Sequence, residues 1–450
     1  MNRIQQLKVT ARFVMIVLCV TLVLASCEKE QEIIVASGEA GELKWKITGN
    51  GTLIISGKGE MPNYVDGLPW LDYKSSIAAV VIESGVTSIT KYAFHSCSIL
   101  SSVIIPNTVT FIGEYVFGYC NGLAEVNIPN SVTSIGIHTF DKNSGLMSIN
   151  VDADNKVFSS ENGVLFNKAK TTLIKYPAGK AGDYTIPDLV VSIGHSAFDS
   201  CFGFSEVTMS NSVMSIGYAA FIGCKELTKI TMSNSLISIG PGAFEGCTGL
   251  TEVTLPKSVM SIERYAFAWC RNLVEISIPN SVISIGEAAF RGSGLKEITI
   301  PNSVTSIGEA AFQGCINLMA INVEEDNHTF SSDNGVLFNK TKTELIQYPT
   351  GKTGVYSIPD SVTSVGYGAF YDCRGLTSVT IPESVTSIGG YAFQACTGLK
   401  EIINHRTTPQ KITDDVFEGA NKYLTLRVPA ASVAAYKAGW YCFAYIVEIE

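Results

Sequence analysis

Ile278-Pro-Asn-Ser-Val-Ile-Ser-Ile-Gly-Glu-Ala-Ala-Phe-Arg-Gly-Ser-Gly-Leu-Lys-Glu-Ile-Thr299 decides the fold, because most of the remaining chain consists of copies of it. Written I-P-x-S-V-x-S-I-G-x-x-A-F-x-x-C-x-x-L-x-x-V-x, the pattern starts again at Ile82, Ile105, Ile128, Ile186, Met209, Met232, Leu255, Ile300, Ile358 and Ile381. The phenylalanine marks the period most cleanly, at Phe94, Phe117, Phe140, Phe198, Phe221, Phe244, Phe267, Phe290, Phe312, Phe370, Phe393 and Phe417. The steps are 23 residues, with one of 22, one of 24 and two of 58, and 58 is one period plus 35. A fixed period of this length is the mark of a solenoid.

Within a repeat, Leu250-Thr-Glu-Val-Thr-Leu255 alternates, so Val253 and Leu255 share one face while Glu252 and Thr254 share the other. Pro256 cannot donate to a ladder and ends the strand. Ser-Val-x-Ser-Ile supplies a second short extended piece. Gly follows it at residues 113, 136, 194, 217, 240, 286, 308, 366 and 389, as expected where φ is positive or backbones approach closely. Thr90 and Glu263 depart from that column. The Glu-Ala-Ala-Phe type of stretch predicts about one helical turn with Phe inward. Stacked coils put equivalent residues roughly 4.8 Å apart, so the expected core is a set of ladders.

Two inserts, 151–185 and 323–357, interrupt the array and repeat each other. Val151-Asp-Ala-Asp-Asn-Lys-Val-Phe-Ser-Ser-Glu-Asn-Gly-Val-Leu-Phe-Asn-Lys168 matches Val323-Glu-Glu-Asp-Asn-His-Thr-Phe-Ser-Ser-Asp-Asn-Gly-Val-Leu-Phe-Asn-Lys340. With the following strands, Thr172–Pro177 and Thr343–Pro349, each reads as a hairpin. The remaining segments are caps, which an array needs where its end coils lack a neighbour. Residues 40–81 form the N-terminal one, with a hairpin on either side of Gly49-Asn50-Gly51 and Trp70 before the repeats. Repeats span 82–403, and 404–450 holds a last partial repeat and a C-terminal cap with a short helix and a strand.

Arg3, Lys8 and Arg12 precede the apolar run Phe13–Leu24, too short to be a comfortable membrane span, which ends in Leu24-Ala25-Ser26-Cys27. That tetrapeptide resembles a bacterial lipobox, which implies removal of residues 1–26 and lipid attachment at Cys27. Residues 27–39 read as an acidic tether. No later stretch is long and apolar enough to span a bilayer. At 16% charged residues and a net charge of −9 the chain lacks the basic stripe that nucleic acid requires.

The repeat itself, the GVLFNK…LIxYPxGK cassette, the Leu43-Lys-Trp-Lys-Ile47 opening and the Val428-Pro-Ala-Ala-Ser-Val…Tyr436-Lys-Ala-Gly-Trp440 ending together resemble BspA-like bacterial leucine-rich-repeat surface proteins. The resemblance covers about residues 40–450. It implies a right-handed, mainly β leucine-rich-repeat solenoid with short helical turns and capped ends, exported and lipid-anchored, facing outward from the outer membrane. It implies adhesion or recognition, and it carries over no binding residue, because the motif is scaffold.

Chemistry is sparse. Nine cysteines occupy one repeat position (97, 120, 201, 224, 247, 270, 315, 373, 396), with Asn143 and a one-residue deletion near Ser293 breaking the column. Their 23-residue spacing is unlike a zinc site, and buried free thiols are the expectation over disulfides. Asp152-x-Asp154-Asn155 and Glu324-Glu-Asp326-Asn327 lack the pattern of a calcium loop and read as polar turns. No nucleophile elbow, zinc-protease motif, phosphate loop or cofactor motif is present, and the five histidines fall in different coils. We therefore expect no enzyme and no cofactor. The outward strand rows offer the candidate binding residues Glu206, Glu252, Thr254, Glu275, Ser277, Glu297 and Thr299, on a concave face expected to meet a protein, of the host or of another source, or a glycan. The glycan reading asks that Tyr176, Tyr348, Phe158 and Phe330 be exposed together as a stacking platform.

Overall fold

The computed structural model describes residues 33–63, 67–440, 443 and 445–449. The signal segment, Cys27 and Cys442 lie outside these described residues. Each repeat forms one coil with three sides. The first side is the long strand, as at Glu252–Thr254 and Glu275–Ser277, with Val253 and Ile276 buried and the acids and hydroxyls exposed. Long strands of most neighbouring coils pair in parallel and in register, Glu252 opposite Glu275 and Thr254 opposite Ser277, while Glu275–Ser277 and Glu297–Ile300 belong to separate sheets. The second side is the Ser-Ile pair; six of these, from Ser192–Ile193 to Ser306–Ile307, join three strands of the first insert in a nine-stranded sheet.

Glycine follows this pair for steric reasons. None of the nine column glycines has a positive φ, and a Cβ on Gly308 would lie 2.3 Å from the backbone nitrogen of Glu287. Backbone cannot move aside as a side chain can, so Gly308→Ala is expected to destabilise by about 1–3 kcal/mol. The urea midpoint measures this, and its sign is informative. If no close approach existed, the loss of chain entropy would make alanine stabilising instead.

The third side carries the phenylalanine, and it turns without becoming a helix. Tyr265 and Trp269, two residues either side of Phe267, have φ of 57° and 59°, so αR residues never run consecutively enough for an α-helix. Alternate N–H groups bond within the coil and across it: Ala266 to Glu263 O at 3.1 Å, Phe267 to Ala289 O at 2.8 Å, Ala268 to Tyr265 O at 3.0 Å. The turns are thus a third hydrogen-bonded ladder. The rings they hold stack along the axis, with centroids 4.6 Å apart at Phe198–Phe221 and 5.9 Å at Phe117–Phe140.

Both inserts turn out to be coils as well. The expected hairpin is there (Val164–Asn167 with Thr172–Lys175), preceded by a third antiparallel strand, Phe158–Glu161. Thr172–Lys175 then pairs in parallel with Ser192–Ile193 as a Ser-Ile strand would, and Tyr184–Thr185 pairs with the next long strand. Tyr176 sits in the phenylalanine file, donating its N–H to Ala197 O at 2.8 Å and stacking 5.1 Å from Phe198. Tyr348 does the same on Phe370. Three core clusters result, and they meet at the two inserts.

At the N-terminus, Ile34–Ala40 (β1), Leu43–Thr48 (β2) and Thr52–Gly57 (β3) form an antiparallel sheet, and β3 passes the ladder on to the repeats. The tether expected over 27–39 is therefore corrected: its last residues belong to the cap. Gly38 makes the strand possible, since a Cβ there would lie 3.0 Å from the Trp45 indole nitrogen. Trp70 stacks on Phe94 and donates to Ala93 O at 2.8 Å. At the other end come the helix Val433–Gly439 and a last strand, Tyr445–Glu448. Trp440 there lies 5.7 Å from Phe417. Among the described residues no helix is long and apolar enough to cross a membrane.

Candidate functional site

Most of the residues that carry chemistry are absorbed by the scaffold. All nine described cysteines are buried and free. The thiols have a positive role: Cys224, Cys247 and Cys396 each donate at 3.0 Å to the carbonyl of the phenylalanine one coil back, Phe198, Phe221 and Phe370. Burial pushes Cys97, Cys270 and Cys396 up to about 12, so these thiols stay protonated and inert. Asn143 replaces a thiol by accepting the Cys120 N–H at 2.6 Å.

The acidic turns hold no metal cluster among the described residues. Asn155 is instead a buried staple: its Nδ2 donates to Pro129 O and Val132 O, and its Oδ1 accepts from the Val157 and Phe158 amides. Asn327 repeats these contacts in the second insert. The proposed aromatic platform does not exist. Tyr176 is 1% exposed, Tyr348 2%, Phe158 8% and Phe330 7%, because each insert folds its aromatics into the core.

The outward strand rows do come together. Glu275, Ser277, Glu297 and Thr299 line one depression of about 740 Å³, joined by Lys296 and Glu324. It lies where the one-residue deletion shortens the coil between Glu275–Ser277 and Glu297–Ile300. Glu252 and Thr254 flank it on the preceding coil, in register with Glu275 and Ser277. Glu252 directly opposite Glu275 is an unfavourable pair, since like charges across strands repel. Glu206 stands apart: Lys229 of the next coil engages it at 2.6 Å.

Three features escaped the sequence reading. Tyr92, Tyr115 and His138 form a surface stack with centroid spacings of 5.0 and 4.8 Å. Val191, Met214, Ile237, Met260 and Ile283 make an exposed apolar row over five coils, at a position where neighbouring coils carry Thr133 and Thr305. Both were there to find by stepping one period at a time. The third is a buried polar network at the first insert. Asp141 accepts from Lys175 Nζ at 2.6 Å and pairs with His138 Nδ1 at 2.6 Å, and Lys175 also donates to Ser196 O at 2.8 Å. Lys142 meets Asp199 at 2.8 Å beside it.

The match to a family model agrees with this architecture. The family model described as BspA type leucine-rich repeat region matches residues 72–181, 176–270, 242–357 and 350–450. No curated protein matches the chain. Among solved structures, a leucine-rich cell surface protein of Faecalibacterium prausnitzii is 22% identical, covering 92% of this chain and 95% of its own, with a TM-score of 0.45. A leucine-rich repeat protein of Bacteroides ovatus is 26% identical over 92% of this chain and 100% of its own, also at 0.45. The pneumococcal vaccine antigen PcpA is 15% identical over 93% and 100%, at 0.34.

Proposed function

This chain belongs to the BspA-type leucine-rich-repeat family, and from that premise we propose that it is a non-enzymatic recognition protein of the bacterial surface. It meets a protein partner through its long-strand face, and its anchor is a lipid on Cys27 in the outer membrane. Leucine-rich solenoids are typically binding scaffolds, and family membership suggests export to the cell surface. The observation that carries the partner reading is the depression lined by Glu275, Ser277, Glu297 and Thr299. Glu252 and Glu275 repel one another in the free protein, so a basic patch on a partner relieves a strain already present. Complementary charge of this kind acts chiefly on the association rate and is screened by salt. The glycan reading has lost its support with the burial of the insert aromatics.

The test is retention of soluble protein on immobilised matrix proteins and, in parallel, on polysaccharides. Glu275→Lys with Glu297→Lys is expected to weaken retention on protein at least roughly tenfold, with a melting curve that is not lowered, because both side chains are exposed and the reversal removes the Glu252–Glu275 repulsion. Retention that is indifferent to this reversal, or that occurs only on polysaccharide, would sink the proposal. Protease shaving of intact cells, with Cys27→Ala as control, tests the anchor and the outward orientation.

A further inference from the structure

The two inserts are near-copies, so each is a control for the other. Measured from Phe140 and Phe312, His138 corresponds to Ala310, Asp141 to Gln313 and Lys175 to Gln347. At the first insert these positions hold a protein cation, Lys175, 4% exposed and bonded to Asp141. At the second insert all three ionisable groups are gone. A cleft of about 280 Å³, lined by Ala310 and Gln347, opens beside these positions on the Ser-Ile side of the solenoid.

The lining of this cleft is specific. Phe312 and Leu337 contribute apolar surface, and Glu309, Glu344 and Tyr367 contribute polar groups. The positions equivalent to the two acids in the first insert are Ile137 and Thr172, so the carboxylates accompany the loss of the internal lysine. Neither glutamate has an ion-pair partner among the described residues. Gln347 adds an independent sign. It is 4% exposed, and its Nε2 donates to Tyr348 O at 3.1 Å and Ala369 O at 3.2 Å. Two carbonyl acceptors fix which end of the amide is nitrogen. Its Oε1 accepts from no protein donor and, as part of the cleft lining, stays open to a donor from outside.

We propose that this cleft binds a primary alkylammonium group, of the kind a lysine side chain carries, delivered from outside beside the position that Lys175 occupies at the first insert. An apolar lining takes the methylene stem, the two carboxylates take the charge, and Gln347 Oε1 accepts one N–H. The volume is near the lower limit of small-ligand sites, which suits a single side chain or a short diamine.

The test titrates the full chain with Nα-acetyl-lysine-N-methylamide, using its norleucine counterpart, which keeps the stem and lacks the ammonium, as control. Saturable binding of the lysine probe alone is expected. Glu309→Gln with Glu344→Gln should weaken it roughly 5- to 30-fold, as two partly exposed charges would. Rebuilding the first insert's charge set with Ala310→His, Gln313→Asp and Gln347→Lys should abolish it by removing the Gln347 acceptor and placing competing cations beside the cleft. Should that rebuilt variant fail to fold, the double glutamine variant decides alone. Equal binding of both probes, affinity untouched by the double variant, or no saturation up to ~10 mM would each overturn the proposal.

Discussion

Asp141→Ala is expected to lower stability by about 3–5 kcal/mol, the range for stripping a buried ion of its partner. The residue lies between two core clusters, and its removal leaves the Lys175 ammonium enclosed with one carbonyl, that of Ser196, as its direct acceptor. Burial alone would push Lys175 down, yet the charges of Asp141 and Asp199 outweigh it and hold it above its ordinary value. The double change Asp141→Leu with Lys175→Met removes both charges and should cost far less, since an apolar pair of similar volume replaces a buried ion pair at little loss. A Lys175→Met variant alone would then be the worse of the two, and denaturant midpoints of all three would show it.

The same pair sets an acid limb. Burial would raise Asp141, but the Lys175 charge and the bonds from His138 and Lys175 hold its carboxyl below the ordinary 3.8. A depressed carboxyl contributes fully above its unfolded value and loses that contribution as pH falls through the folded one. The gap between parent and Asp141→Asn should therefore close below about pH 4. His138 runs the other way: its bond to Asp141 raises it above 6.5, so its contribution is full below that value and fades as pH rises through the folded one. A gap independent of pH would mean that Asp141 is not charged in the folded protein.

Phe244→Ala should cost a similar 3–5 kcal/mol, for a different reason. The ring is wholly buried and stacks 5.2 Å from Phe221 on one side and 5.2 Å from Phe267 on the other. Each aromatic pair adds roughly 0.5–1.5 kcal/mol beyond the area buried. A coil contacts only its neighbours, so a cavity in the middle weakens both junctions at once. The urea transition is expected to broaden or split, whereas Trp440→Ala, at the end of the file, should fray the C-terminal cap first. A single sharp transition merely shifted to lower urea would show that the array unfolds as one unit despite its nearest-neighbour construction.

Most of what recurs every 23 residues was legible in the sequence: the side-chain ladders, the thiol column, both strand rows and the need for caps. What broke the period was harder to read. Tyr176 and Tyr348 fill phenylalanine positions, yet each follows its predecessor by 36 residues and stands in a Tyr-Pro strand ending, so spacing alone does not align them. The turns were misjudged because Ala-Ala-Phe favours helix locally, while a neighbour 23 residues away claims every second N–H. Glu275, Ser277, Glu297 and Thr299 were found because alternation predicts an outward face. Lys175 was missed because a lysine within Leu-Ile-Lys-Tyr-Pro looks like any exposed strand residue. Its partner Asp141 lies 34 positions earlier, and nothing in the pattern joins the two.

The aromatic file ends in an indole at both extremities, and this gives the molecule its own optical labels. Trp45 and Trp70 sit in the first cap and Trp440 in the last, all buried, while Trp269 lies at the surface midway between Arg271 and Arg291. Emission from the two ends is therefore blue-shifted in the folded state and reddens as water reaches each one. With the other indoles replaced by phenylalanine, a single lamp and monochromator can follow which terminus loosens first, without any dye attached.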